Sequence, residues 1–168
     1  ATGKELLTLK GHSGEVAAAA FSPGGGRIVT ASADGTAKVW DSRADRSGPA
    51  IQWDNPLLSC VAFSPDDQRV VTGMSDGTTE LRDLRAPAAK VPLLRLPGHP
   101  IARGTPAAVT SVALSRDGRR IASGSADQSV TVWDSAGRRL FTLPAHNGPI
   151  SPVGFSPDGQ RLVTGTEK

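Results

Sequence analysis

The 168-residue chain carries 19 Lys and Arg against 16 Asp and Glu, a net charge of +3 at neutral pH. So small an excess, spread without any basic run, gives no support to nucleic acid as a partner. No apolar run approaches the roughly 20 residues that span a bilayer, nothing at the start resembles a signal peptide, and the single Cys60 leaves no internal disulfide, which fits a reducing, cytoplasmic setting.

In chain order, the first expected element is a leading strand at about residues 5–9. An apolar run, residues 16–21, is followed by the turn-forming stretch Phe21-Ser22-Pro23-Gly24-Gly25-Gly26-Arg27 and a strand at 27–32. Asp34-Gly35 is a tight-turn signal between two β-type segments. A third strand follows at 36–40, and a fourth near 50–52 after a polar loop. The Phe-Ser-Pro turn then returns as Phe63-Ser64-Pro65-Asp66-Asp67-Gln68-Arg69, as Leu114-Ser115-Arg116-Asp117-Gly118-Arg119-Arg120 and as Phe155-Ser156-Pro157-Asp158-Gly159-Gln160-Arg161. Asp34, Asp76 and Asp127 keep the same offsets as the first three copies. Two independent markers with one spacing establish an internal repeat of four short strands, the pattern of a propeller blade. Helical periodicity is absent.

The repeats carry Ala33-Asp34-Gly35-Thr36-Ala37-Lys38-Val39-Trp40-Asp41 and Ala126-Asp127-Gln128-Ser129-Val130-Thr131-Val132-Trp133-Asp134, together with Gly11-His12, Gly98-His99 and Ala145-His146. These segments resemble the WD40 repeat, in the form found in bacteria. The resemblance implies an all-β propeller arc of four-stranded antiparallel blades: an outer strand of a preceding blade in 1–10, repeats at 11–52, 53–97 and 98–144, and a truncated repeat at 145–168. It also implies a structural tetrad in the first blade (His12, Thr30, Asp34, Trp40) and in the third (His99, Ser123, Asp127, Trp133), in which carboxylate, imidazole, hydroxyl and indole form a hydrogen-bonded relay. The second blade departs from it. Asp54 and Arg82 replace His and Trp beside Thr72 and Asp76, so that blade is expected to hold by packing and ladder bonds alone. In the fourth, Lys168 falls on the Asp position after His146 and Thr164.

Three other chemistries fit these residues less well than the repeat does. His99, Ser123 and Asp127 have the composition of a nucleophilic triad, but the same set recurs one repeat earlier, which favours structure over catalysis. The histidines lack zinc-site spacing, and Gly24-Gly25-Gly26 lacks the Gly-Lys-Ser/Thr continuation of a phosphate loop. No catalytic residue, metal or cofactor is therefore expected. Cys60 falls in a small-residue slot and reads as a buried, inert thiol. The series Arg27, Arg69, Arg120 and Arg161 reads as a shared solvated role at the hairpin, with a basic ring that binds acidic partners or nucleic acid as the alternative.

By resemblance, the partner-binding end holds Glu15, Ala17, Leu57, Ser59, Ala108, Thr110, Pro149 and Ser151, flanked by Ala33, Ser75 and Ala126. Trp53, standing where the Gly of the Gly-His pair belongs, is expected to be exposed near that end. The 97–108 loop, longer than its counterpart in the first blade, offers Arg103. The function implied is a protein-protein interaction or sensing scaffold attached to a signalling protein, with a protein or peptide partner. The alternatives are the repeat region of a multidomain kinase or nucleotide-binding switch, and a nucleic-acid-binding propeller. In total 15 strands are expected, an arc completed by the rest of a longer chain or by another copy.

Overall fold

Short segments rich in Val, Ala, Thr and Ser alternate with Asp- and Gly-bearing turns, and each such segment becomes one strand of an up-and-down sheet. The computed structural model describes residues 5–43, 48–86, 92–99, 107–144 and 146–166. The first sheet holds β1 (Val16–Phe21), β2 (Arg27–Ser32), β3 (Thr36–Asp41) and β4 (Ile51–Asp54) in sequence order. The second holds β5 (Leu58–Phe63), β6 (Arg69–Met74), β7 (Thr79–Asp83) and β8 (Leu94–Leu96). The third holds β9 (Val109–Leu114), β10 (Arg120–Ser125), β11 (Ser129–Asp134) and β12 (Arg139–Pro144). The last pairs β13 (Ile150–Phe155) with β14 (Leu162–Thr166). Every pairing is antiparallel.

Consecutive sheets pack through their inner strands: β5 against β1 and β2, β9 against β5 and β6, β13 against β9 and β10. Each junction has its own apolar core. Val29, Ala31 and Val39 meet Val61, Phe63 and Val70 between the first two blades. Val71, Leu81 and Leu96 meet Val109, Val112, Ile121 and Trp133 at the next. Ala122, Val130 and Val132 meet Ile150 and Val153 at the third. The described strands form an open arc of propeller blades rather than a closed ring.

There are fourteen strands among the described residues, not fifteen. Residues 5–10 run without a ladder, and Leu6 is 92 % exposed. A strand needs a hydrogen-bonding neighbour, and the described residues supply no third strand beside this segment.

The inner strand of each blade carries an irregularity in register at one place: at Ala17 in β1, Ser59 in β5, Thr110 in β9, and residues 151–152 in β13. An extra residue there leaves the ladder and re-aims its side chain. This displacement matters for the candidate surface.

Candidate interaction surface

In the first blade His12 bridges two elements. Its Nδ1 lies 2.8 Å from the Asp34 carboxylate in the β2–β3 turn, and its Nε2 lies 2.7 Å from Thr30 Oγ1 on β2. Trp40 Nε1 on β3 donates to the same hydroxyl at 2.9 Å, and its ring meets the imidazole edge-on with centroids 5.9 Å apart. Burial works to raise the Asp34 pKa, but donors from Thr36, His12 and the Ser13 backbone outweigh it and hold the carboxyl well below the usual range. The third blade repeats the relay more loosely. His99 Nε2 sits 2.8 Å from Ser123 Oγ, which also accepts from Trp133 Nε1 at 3.3 Å. His99 Nδ1 is 3.0 Å from Ser129 Oγ and 3.4 Å from Asp127. Burial lowers the His99 pKa, partly opposed by Asp127. In the fourth blade His146 Nε2 meets Thr164 Oγ1 at 2.8 Å, while Lys168 lies outside the described residues.

Two further sets of hydroxyls belong to this framework. Thr36, Thr78 and Ser129, two residues after each turn aspartate, donate to it at 2.7, 2.6 and 2.7 Å. Ser22, Ser64, Ser115 and Ser156 each accept from the backbone N–H of the arginine five residues on. The Asp-x-Thr/Ser and Phe-Ser-Pro repeats were visible signals for both.

The second blade is not held by packing and ladders alone. Arg82, on the Trp position, forms a 2.8 Å ion pair with buried Glu80, and its guanidinium carbon stands 5.7 Å from the centre of the Trp53 ring. Arg95 adds a 3.5 Å contact to Asp76. Trp53 Nε1, Thr72 Oγ1 and Arg82 Nε are buried without a hydrogen-bond partner among the described residues. Trp53 is therefore not the exposed ring that was expected. It packs, half-buried, on the core between the first two blades because the residue opposite it, Arg82, leaves room that Trp40 fills in the first blade.

The end of the blades expected to meet a partner is assembled by one repeated backbone bond. Ala33 N donates to Glu15 O at 2.8 Å, Ser75 N to Leu57 O at 2.7 Å and Ala126 N to Ala108 O at 2.9 Å. Each β2–β3-type turn is thus fixed beside the segment entering its blade. Glu15, Ala17, Ala33, Leu57, Ser75, Ala126 and Pro149 are exposed there. Ser59 and Thr110, half-buried, are bonded within the fold. The bulge turns Ser59 Oγ onto Gly73 O at 2.9 Å and Val109 O of the next blade at 2.5 Å. Thr110 Oγ1 likewise donates to Gly124 O at 3.1 Å and to Ile150 O of the following blade. Both stitch blade to blade. Arg103 lies outside the described residues, as does most of its loop.

The arginine series splits in the same sense. Arg27 Nη1 donates to Asp67 O at 3.2 Å and Arg120 Nη1 to Gly159 O at 3.3 Å, each in the hairpin turn of the next blade. Cys60 is buried, and desolvation pushes its thiol up to about 12. Ser123 is fully buried with its hydroxyl engaged, so it cannot meet a substrate as a nucleophile. Among the described residues no three His, Cys, Asp or Glu side chains gather as a metal site, and no helix is long and apolar enough to cross a membrane.

Four-stranded antiparallel blades, with an internal His-hydroxyl-Trp relay in the first and third, define the class: a WD-type β-propeller segment. The model of the WD domain, G-beta repeat, matches residues 3–41, 52–83, 90–134 and 137–168, and the chain belongs to that family. It is 32 % identical over 161 residues to telomerase protein component 1 of Mus musculus, covering 85 % of this chain and 5 % of that protein. It is 30 % identical over 162 residues to cilia- and flagella-associated protein 52 of Chlamydomonas reinhardtii, covering 95 % and 25 %. Over 51 residues it is 49 % identical to the U5 small nuclear ribonucleoprotein 40 kDa protein of Homo sapiens, covering 30 % and 14 %. The chain thus spans a quarter or less of each of these relatives. All three are eukaryotic, and the bacterial form of the repeat finds no support in them.

Proposed function

We propose that the chain is a non-catalytic protein-interaction scaffold, and that it works as one arc of a longer propeller in a larger protein. The observation that carries this is the repeated tie of turn to entry segment, Ala33 to Glu15, Ser75 to Leu57 and Ala126 to Ala108. It sets one exposed rim at the same place on three blades, on strands whose polar interior is spent on structure. Leu57, 40 % exposed on that rim, supplies an apolar anchor, and Glu15 an exposed charge on the same rim. Relatives named as parts of a ribonucleoprotein and of telomerase support assembly into a multi-protein particle. Within this reading the chain serves a signalling protein in the cytoplasm, and any chemistry belongs to other segments of that protein.

The test is a partner identified by crosslinking and remade from purified components. Leu57→Arg and Glu15→Lys together should weaken it by at least about tenfold, the loss of an interface anchor, with the thermal midpoint unchanged. Unaltered affinity in the double variant would remove this rim as the binding surface.

A further inference from the structure

The two halves of the arc differ in charge at the end opposite the rim. In the first two blades, Arg27, Arg43, Arg69 and Arg85 at the β1–β2-type and β3–β4-type turns are balanced in number by Asp41, Asp66, Asp67 and Asp83, and in the second blade they pair directly. Arg69 pairs with Asp66 at 3.2 Å and Arg85 with Asp83 at 2.6 Å, and Arg27 reaches Asp67 O. The same end of the third and fourth blades presents Arg116, Arg119, Arg120, Arg138, Arg139 and Arg161. The backbone brings them together: Ser135 N donates to Arg119 O at 2.9 Å, Arg120 is the ladder partner of Asp134, Arg139 that of Trp133, and Arg120 Nη1 reaches Gly159 O in the turn before Arg161.

The carboxylates of this end are occupied by the turns themselves. Asp117 accepts from Ser115 Oγ at 2.6 Å and Arg119 N at 3.0 Å, and Asp158 from Ser156 Oγ at 2.5 Å and Gln160 N at 3.0 Å. Asp134 accepts from Ala136 N and Arg138 N and takes the one ion pair there, with Arg138 Nε at 3.1 Å. Arg116, Arg119, Arg139 and Arg161 are exposed and form no ion pair among the described residues. Like charges this close repel, and a side chain of opposite charge relieves them.

We propose that this end of the third and fourth blades is a second interaction surface, which takes an acidic peptide segment rich in Asp and Glu. This deepens the scaffold reading and rests on it. The patch is made of guanidinium groups without lysine, and guanidinium grips planar carboxylates two bonds at a time. Asp117, Asp134 and Asp158 are held ionised between the arginines. They would repel a continuous phosphate backbone, yet they leave separate sites for separate carboxylates. The chain has no tyrosine and Trp133 of the third blade is buried, which leaves Phe141 as the exposed ring near these arginines, where single-strand recognition stacks successive bases on several.

The experiment measures anisotropy of a labelled short poly-glutamate peptide titrated with the full chain, beside labelled duplex DNA and single-stranded RNA of equal charge. Wild type should bind the peptide with an affinity that falls as salt rises. Arg119→Glu/Arg139→Glu should weaken it by about tenfold or more, and the charge-matched Lys10→Glu/Arg43→Glu should leave it unchanged. Equal losses in both variants would reduce the effect to net charge, and tighter binding of either nucleic acid would reassign the surface. Absence of peptide binding would also sink the proposal. A chain that fails here yet loses its partner on Leu57→Arg/Glu15→Lys keeps the scaffold reading and loses only this surface.

Discussion

Gly73→Ala tests whether the blades are packed as closely as the junction cores imply. A Cβ built on Gly73 would lie 2.4 Å from Val109 Cγ1, 2.5 Å from Cys60 Sγ and 2.9 Å from Val109 Cβ. Carbon contacts settle at about 3.5–4.0 Å, so the third blade would have to retreat by about 1 Å, and Val109 is fully buried on its inner strand. The same movement would stretch the Ser59 bond to Val109 O. Overpacking of this kind costs about 1–3 kcal/mol, and the gain in strand entropy on replacing Gly recovers about 0.5–1 kcal/mol of it. With contacts as short as 2.4 Å the cost lies near the upper end of that range, and a net loss of about 2 kcal/mol at about 2–4 °C per kcal/mol for a chain of this size lowers the melting midpoint by about 4–8 °C. Gly154→Ala is the control, since its Cβ would meet only Val163 Cγ1 at an ordinary 3.5 Å; it should be neutral or slightly stabilising. Val109→Ala in the Gly73→Ala background should show a favourable coupling of about 0.5–3 kcal/mol by denaturant melts. Equal stability of Gly73→Ala and wild type would refute the close-approach argument.

The polar interiors of the second and third blades predict opposite signs. Ser123→Ala strips the acceptor from Trp133 Nε1 and the neighbour from His99 Nε2, and should cost about 1–3 kcal/mol. Thr72→Val deletes a fully buried hydroxyl that has no partner, and should be neutral or stabilising by about 1 kcal/mol; chemical denaturation ranks the pair, and a destabilised Thr72→Val would show that its hydroxyl is in use. His99 supplies the pH dependence. Its folded pKa lies below the ordinary 6.5 because burial disfavours the cation, so the folded state binds fewer protons than the unfolded one. Its contribution is complete above 6.5 and is lost as pH falls from there through the folded pKa. The difference in melting midpoint between wild type and His99→Asn should shrink over that interval, and a constant difference would exclude the effect.

The repeat made the fold legible because both of its signals, hydroxyl-bearing turns and Asp-Gly turns, fix strand ends locally. The relays were legible for the same reason: His12, Thr30, Asp34 and Trp40 each occupy a fixed place in the period. What the sequence did not show depended on neighbours in space. Residues 5–9 have strand-like composition, but a strand exists only where another pairs with it. Ser59 and Thr110 sit at positions that alternation points outward, and a bulge, which leaves little trace in composition, turns them into the junction. Leu57 and Glu15 kept their exposed places because backbone bonds at the turn, rather than a ladder, hold them.

Trp53 shows how far a departure from the repeat can be understood once its neighbour is known. In the first blade Gly11 lies over Trp40, and a Cβ there would come within 3.2 Å of the indole. One step on, the small residue has become Trp53 and the large one Arg82, so the flat ring remains but is supplied from the outer strand of the blade before. The exchange is a matched pair, and the two positions should be coupled. Arg82→Trp alone crowds two indoles and leaves Glu80 without its 2.8 Å partner, a cost of about 1–3 kcal/mol for the overpacking before the stranded carboxylate is counted. Trp53→Gly alone opens a cavity, at about 3–5 kcal/mol. Together they restore the first blade's arrangement and place a new indole N–H beside the unpartnered Thr72 hydroxyl, in the ladder position from which Trp40 reaches Thr30. The double variant should therefore be more stable than the sum of the two losses by about 0.5–3 kcal/mol. Strict additivity in equilibrium unfolding would mean that Trp53 and Arg82 fill unrelated spaces, and the second blade's departure would then need a different cause.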